Sequence, residues 1–148
     1  MLIADQLSKE YTIREKGKDA HLHAVKPVSL TMRSGERYAL VGESGSGKTT
    51  LARMLAGIIM PTGGKVLLDG QDVFGDKDRR AVYKKLQIIF QDAESSLNPQ
   101  MTIYNLIAEP LRNLLHISRT EEKGRVFELM NRTGLSLEYC NRKPRELS

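Results

Sequence analysis

The apolar and polar positions of the chain follow two regimes. Up to Phe90, short apolar runs of strand length alternate with helical stretches, whereas from Asn98 onward apolar residues recur mainly at helical spacing. Residues 1–7 predict a short strand. Residues 21–32 predict a second, with Leu22, Ala24, Val28, Leu30 and Met32 only partly in phase, and Pro27 argues against a central place in a sheet. Between them residues 12–20 are polar and charged, which predicts a loop or hairpin tip. Ser34-Gly35 turns the chain into residues 37–41, whose run Tyr38, Ala39, Leu40, Val41 suits a buried strand.

Residues 50–59 place Leu51, Met54, Leu55 and Ile58 on one helical face, with 60–64 (MPTGG) as the stop. A strand at 65–68, the turn pair Asp69-Gly70, a short basic helix at 79–85 and an apolar run at 86–90 follow. In the last third Ile103, Leu106, Ile107, Leu111, Leu114 and Leu115 keep a helical period that Pro110 should kink. Ser118-Arg119-Thr120-Glu121 has the pattern of a capping box, and Val126, Phe127, Leu129 and Met130 form the apolar face of a helix that Gly134 ends.

Composition narrows the class. Of 148 residues 40% are hydrophobic and 28% charged, the profile of a folded globular chain. One cysteine, Cys140, excludes an intramolecular disulfide framework and fits a reducing compartment. No run approaches a membrane span, and the N-terminus lacks a secretory pattern, so the chain is expected neither to span a membrane nor to be exported. The net charge of +5 comes from dispersed basic residues without an arginine tract, so a solvated surface is expected and no nucleic-acid partner.

Against that background one segment stands out chemically. Gly42-Glu43-Ser44-Gly45-Ser46-Gly47-Lys48-Thr49 satisfies G-x-x-x-x-G-K-[ST] at every fixed position, between a predicted strand and a predicted helix. Backbone N–H groups of such a loop and of the helix start converge on phosphate oxygens. Gly42, Gly45 and Gly47 are expected to allow positive φ and close approach; Lys48 supplies a point charge to the β and γ phosphates, and the Thr49 hydroxyl a ligand for Mg²⁺. Glu43, Ser44, Ser46 and Thr50 complete the cradle. Hydrolysis requires a metal-side carboxylate as well. Asp69 reads better as a hairpin turn, while Asp92, at the end of an apolar run, stays open on spacing.

Together, VGESGSGKTTLARMLAGIIMPTGGKVLLDGQDV (41–73), LQIIFQD (86–92), Ser96-Leu97-Asn98-Pro99, Met101-Thr102-Ile103 and Ala108-Glu109-Pro110-Leu111 resemble the ATP-binding subunit of ABC transporters, most closely the branch serving oligopeptide, dipeptide and nickel importers. The resemblance implies an α/β P-loop NTPase core with an antiparallel β-subdomain at residues 1–97, and a helical subdomain at 98–148. It implies that Gln91 touches Mg²⁺ and the attacking water, and that Tyr11 stacks on adenine. It further implies transmembrane permease subunits and a second ATP-binding subunit as partners, an indirect link to a substrate-binding protein, and a peripheral place on the cytoplasmic face of the inner membrane.

Leu147 and Ser148 resemble the first two residues of the family's signature sequence, LSGGQ. The chain is therefore expected to be incomplete at its C-terminus, to bind MgATP and to lack the residues for multiple turnover. His21, His23 and His116 match no family position and are expected to carry only surface or core polarity. Two other readings remain. One is a small P-loop phosphotransferase whose lid would use Arg112, Arg119, Arg125 and Arg132; the other is a non-catalytic fragment that only binds nucleotide or a membrane-subunit surface.

Overall fold

The computed structural model describes residues 1–15, 17–75 and 79–147, in two compact units, Met1–Ile88 and Ile89–Ser148. In the first unit β1 (Leu2–Glu15) and β2 (Lys18–Met32) make a long antiparallel hairpin, β3 (Gly63–Leu68) pairs with the other side of β1, and β4 (Gln71–Asp72) follows at the edge, giving the order β2-β1-β3-β4. Of the two readings for residues 12–20, loop or hairpin tip, the structure shows the hairpin, with strand on both arms, Thr12 opposite His21 and Arg14 opposite Asp19. Burial does not drive this ribbon. Ladder hydrogen bonds do, with Arg14 beside Asp19 at 3.9 Å and His21 Nδ1 beside Glu10 at 2.6 Å across the strands.

The imperfect phase of the second strand has a cause in the register. Between the pairs Ala4–Leu30 and Leu7–Val28, β1 carries one extra residue, with Gln6 at φ +48° and its N–H donating to Ser29 Oγ at 2.9 Å. Between Leu7–Val28 and Lys9–Val25 the extra residue lies on β2, where Pro27 sits. As the sequence implied, Pro27 occupies an edge strand, and it does so at a bulge.

Helix α1 (Lys48–Leu55) starts two residues earlier than predicted and stops well before the 60–64 signal. Gly57, at φ +73°, ends it: its N–H donates to Met54 C=O and that of Ile58 to Arg53 C=O, a Schellman pair. A Cβ at Gly57 would lie 2.7 Å from Val73 Cγ1, so the stop is also a packing point. Met54 and Leu55 then bury against Ala4, Leu7, Val66, Val73 and Val82, the core of this unit. Each such side chain contributes about 1.5–3 kcal/mol through removal from water. Asp69 and Gly70, at φ +51° and +84°, form the predicted two-residue hairpin turn between Leu68 and Gln71. The Met1 ammonium and Lys85 hold the Asp69 carboxyl down at about 2.

Two expected apolar strands do not form. Neither 37–41 nor 86–90 joins a ladder among the described residues, and Val41 and Ile89 are 91% and 94% exposed. A strand needs a neighbour to accept its backbone hydrogen bonds, and no strand among the described residues pairs with these runs. Between them α2 (Arg80–Lys85) forms as expected, and the Arg79 guanidinium just before it stacks between Phe74 and Tyr83, each ring 5.0 Å away.

The second unit begins with α3 (Ala93–Ser96) and continues through α4 (Ile103–Pro110), a π-helical turn (Leu111–Leu115) and α5 (Arg119–Arg132), then two 3₁₀ turns, Leu137–Asn141 and Pro144–Glu146. Pro110 ends the α-helical segment and a π turn replaces the predicted kink. Ser118 accepts from Glu121 N–H at 3.3 Å, which supplies half of the expected capping box. Gly134, at φ +71°, ends α5 as predicted, in a second Schellman pair from Gly134 and Leu135 to Asn131 and Met130.

Ile103, Ala108, Leu111, Val126 and Met130 form this unit's core. One polar group sits beside it. Glu122, only 5% exposed, accepts both Arg112 Nε (2.6 Å) and Nη2 (2.7 Å) and the Tyr104 hydroxyl (2.9 Å). Arg112, a lid residue in the phosphotransferase reading, is here one arm of a bidentate pair. Arg112, first among several causes, holds the Glu122 carboxyl below its ordinary 4.5. A carboxyl with a depressed folded value contributes stability above its unfolded value and loses it as pH falls through the folded one. The melting temperature is therefore expected to drop from about pH 4.5 downward, and Glu122→Gln to flatten that acid limb while lowering stability at pH 7. An unchanged limb in the variant would assign the acid sensitivity elsewhere.

Candidate functional site

The glycine-rich segment and the start of α1 form an open cavity of about 360 Å³ in the first unit, lined by Ser44, Gly45, Gly47, Lys48, Thr49 and Thr50. Its opposite wall comes from the edge strand β2, through Leu22, His23 and Ala24. Sequence reasoning did not find that wall, because nothing local to β2 marks it. What joins the walls is Gly47. At φ +89° it caps α1 in the left-handed region, and a Cβ there would lie 2.2 Å from the Ala24 carbonyl oxygen and 3.2 Å from Val25 Cγ2. The loop thus packs against strand backbone at a distance that only glycine permits.

The three loop glycines differ. Gly45, at φ +80°, faces open space; Gly42 has no positive φ, contrary to expectation, and a Cβ there would meet Ser46 Oγ at 2.9 Å. Ser46 N–H donates to Glu43 C=O at 3.2 Å, which closes the loop into a tight turn. Lys48 folds back over this turn. Its ammonium donates to the carbonyls of Gly42 (2.7 Å) and Glu43 and approaches Ser46 Oγ at 3.3 Å. No carboxylate lines the cavity among the described residues, so the charge is matched only by neutral oxygens. A cation held this way, beside the unpaired N–H groups of a helix start, favours an oxyanion.

The same oxygen-rich environment fits Mg²⁺ only in part. Thr49 offers one hydroxyl, and among the described residues no group of three His, Cys, Asp or Glu side chains is arranged to hold a metal. That donor set suits an ion bound mainly through phosphate oxygens and water, the usual manner of Mg²⁺.

Tyr11 does not line the cavity. It lies half-buried on β1, directly opposite Leu22, which does. Lys9 Nζ stands 5.1 Å from its ring centroid. Gln91 is exposed in the bend before α3 and belongs to the other unit. Asp92, left open by spacing, caps α3, accepting from Ser95 N–H at 3.1 Å. His21 and His23 both turn Nδ1 toward Glu10, and His116 ends the π turn at φ +52°. Leu147 is described beside the second core, whereas Ser148 lies outside the described residues.

Several known proteins are similar to this chain. A family profile described as ABC transporter matches residues 25–148. The chain is 39% identical, over its whole length and 43% of the relative's, to a probable peptide ABC transporter ATP-binding protein of Sinorhizobium fredii. It is 44% identical, over 84% of its length and 40% of the relative's, to the oligopeptide transport ATP-binding protein OppF of Lactococcus lactis. A nickel import ATP-binding protein, NikE of Shigella flexneri, is 36% identical over 89% of this chain and 50% of its own. The chain thus spans two fifths to half the length of these curated relatives. Among solved structures, the dimeric bacterial ABC transporter cassette MJ0796 superposes with a TM-score of 0.81 at 28% identity, over all of this chain and 63% of that one. A post-hydrolysis dimer of the same cassette, bound to ADP and Pi, gives 0.79 at 26% identity with the same coverage.

Proposed function

The chain belongs to the ABC transporter family, and from that membership we propose that it binds MgATP at the 42–50 loop as the nucleotide-binding part of a peptide or nickel importer. The observation that carries this reading is Lys48, an ammonium with only carbonyl and hydroxyl oxygens for partners at the start of a helix. When triphosphate arrives, its oxygens replace Gly42 and Glu43 as acceptors, and loop N–H groups supply the remaining donors. Thr49 would hold Mg²⁺, which supplies neutralisation of phosphate charge. Tyr11 would stack on the base, and Gln91 keeps the role the family resemblance implies for it only in a complete ATP-binding subunit.

On this reading residues 1–97 form the nucleotide-binding core with its β-subdomain, and 98–148 the helical subdomain that meets transmembrane permease subunits. A second ATP-binding subunit pairs with it, a substrate-binding protein connects indirectly, and the whole lies on the cytoplasmic membrane face. No helix among the described residues is long and apolar enough to cross a membrane. The relatives named for peptide and nickel uptake support the branch.

Binding without turnover is the behaviour proposed for this chain. Titration with a fluorescent ATP analogue is expected to show saturable binding that strengthens with Mg²⁺, with no sustained phosphate release. Absence of binding by a chain that melts cooperatively would overturn the proposal. Of the four arginines the phosphotransferase reading would use as a lid, Arg112 is paired with Glu122, Arg125 with Glu121 at 2.8 Å and Arg132 with Glu128 at 4.0 Å, and the family match favours the ABC reading over it.

A further inference from the structure

The side chain of Lys9 faces the ring of Tyr11 from two residues earlier on β1, its ammonium 5.1 Å from the ring centroid. The two residues share a face of the strand, since alternate side chains point the same way. The ammonium is not free to wander. It donates to Met60 C=O at 2.8 Å, in the segment that leads from the end of α1 into β3. Three further bonds pin that segment to the same stretch of β1: Thr62 N–H to Ser8 C=O at 2.9 Å, Glu10 N–H to Thr62 Oγ1 at 3.1 Å, and Thr62 Oγ1 to Glu10 C=O at 3.2 Å. The anchor therefore belongs to the connection out of α1, whose first turn carries Lys48 and Thr49.

We propose that Lys9 is a positioning residue for base recognition: its ammonium, fixed on Met60 C=O, holds the Tyr11 ring from one side and leaves the other side for the nucleotide base. A cation against one face draws on the ring's negative quadrupole and restricts its rotation, so less ordering is left for the base to cause on stacking. The same anchor ties the ring to the frame that carries the phosphate cradle, so base and phosphate sites keep a fixed separation. This inference rests on the proposed nucleotide site and adds a residue for which the loop motif carries no signal.

The test compares ATP with inorganic tripolyphosphate, which has the phosphates and no base, each with Mg²⁺, by calorimetry on the full 148-residue chain. Lys9→Met, which keeps the stem and removes the charge, is expected to weaken ATP about two- to fivefold and to leave tripolyphosphate unchanged. Lys9→Arg, which keeps a cation, should restore most of the ATP affinity. In a Tyr11→Ala background the Lys9→Met change should have no further effect, because its action passes through the ring. Equal weakening of both ligands, or an undiminished effect without Tyr11, would overturn the proposal. If wild-type chain binds neither ligand, it is the nucleotide reading itself that fails.

Discussion

Lys48→Ala is expected to weaken MgATP binding about 100-fold, equivalent to about 3 kcal/mol, while leaving the melting temperature of the ligand-free chain nearly unchanged. The magnitude follows from charge-assisted hydrogen bonds to phosphate, each contributing about 1.5–3 kcal/mol. The separation between binding and folding follows from geometry. In the absence of nucleotide the ammonium touches only two loop carbonyls and the Ser46 hydroxyl, all exposed groups that water can satisfy when the side chain is removed. Calorimetric titration and a thermal melt read the two quantities independently. A variant that binds as well as wild type would show that the cradle does not hold the phosphates.

Gly47→Ala is expected to damage both quantities. The added Cβ must take a left-handed φ of +89° and lie 2.2 Å from the Ala24 carbonyl oxygen, which belongs to strand backbone and has little room to retreat. Strain and collision together are expected to cost about 2–4 kcal/mol. To relieve them the loop has to lift from β2 and disperse the N–H groups that converge on phosphate. Gly45→Ala is the matched comparison. Its φ is +80° but no atom lies within 4 Å of the added Cβ, so only the backbone term applies, about 1–2 kcal/mol. Equal destabilisation by the two substitutions, measured by denaturant unfolding, would mean that the approach to Ala24 contributes nothing.

Those glycines show where the residue pattern was sufficient and where it was not. The motif located the loop, and Asp69-Gly70, Gly134 and the apolar stripe through Val126 and Met130 were all readable, because each depends on local φ preference or helical period. The motif could not reveal why Gly47 must be glycine, since that reason lies on β2, more than twenty residues away. Gly57 was passed over as the end of α1 because the stronger turn signal a few residues on drew the boundary outward. Its role appears once Val73 is seen packed against it.

The ribbon at 12–20 is the hairpin tip that the sequence allowed, and composition alone could not set it apart from a loop. Polarity signals exposure, and exposed hairpins satisfy their backbone through the ladder alone, so a charged strand and a charged loop look alike in composition. The apolar runs at 37–41 and 86–90 depart from expectation. Hydrophobicity and β-propensity favour extended chain, but a strand is a paired object, and the described residues put no partner beside either run.

By itself the sequence determined the glycine-rich loop with its lysine and hydroxyl, the helical character of the last third and the hairpin at Asp69, because these rest on residue type at short spacing. The tertiary structure alone decided which wall faces the cradle, which cation stands over Tyr11, that Arg112 closes on Glu122, and which extended runs become strands. Each of these depends on groups brought together from distant positions, and a contact between distant positions has no local spacing by which it can be read.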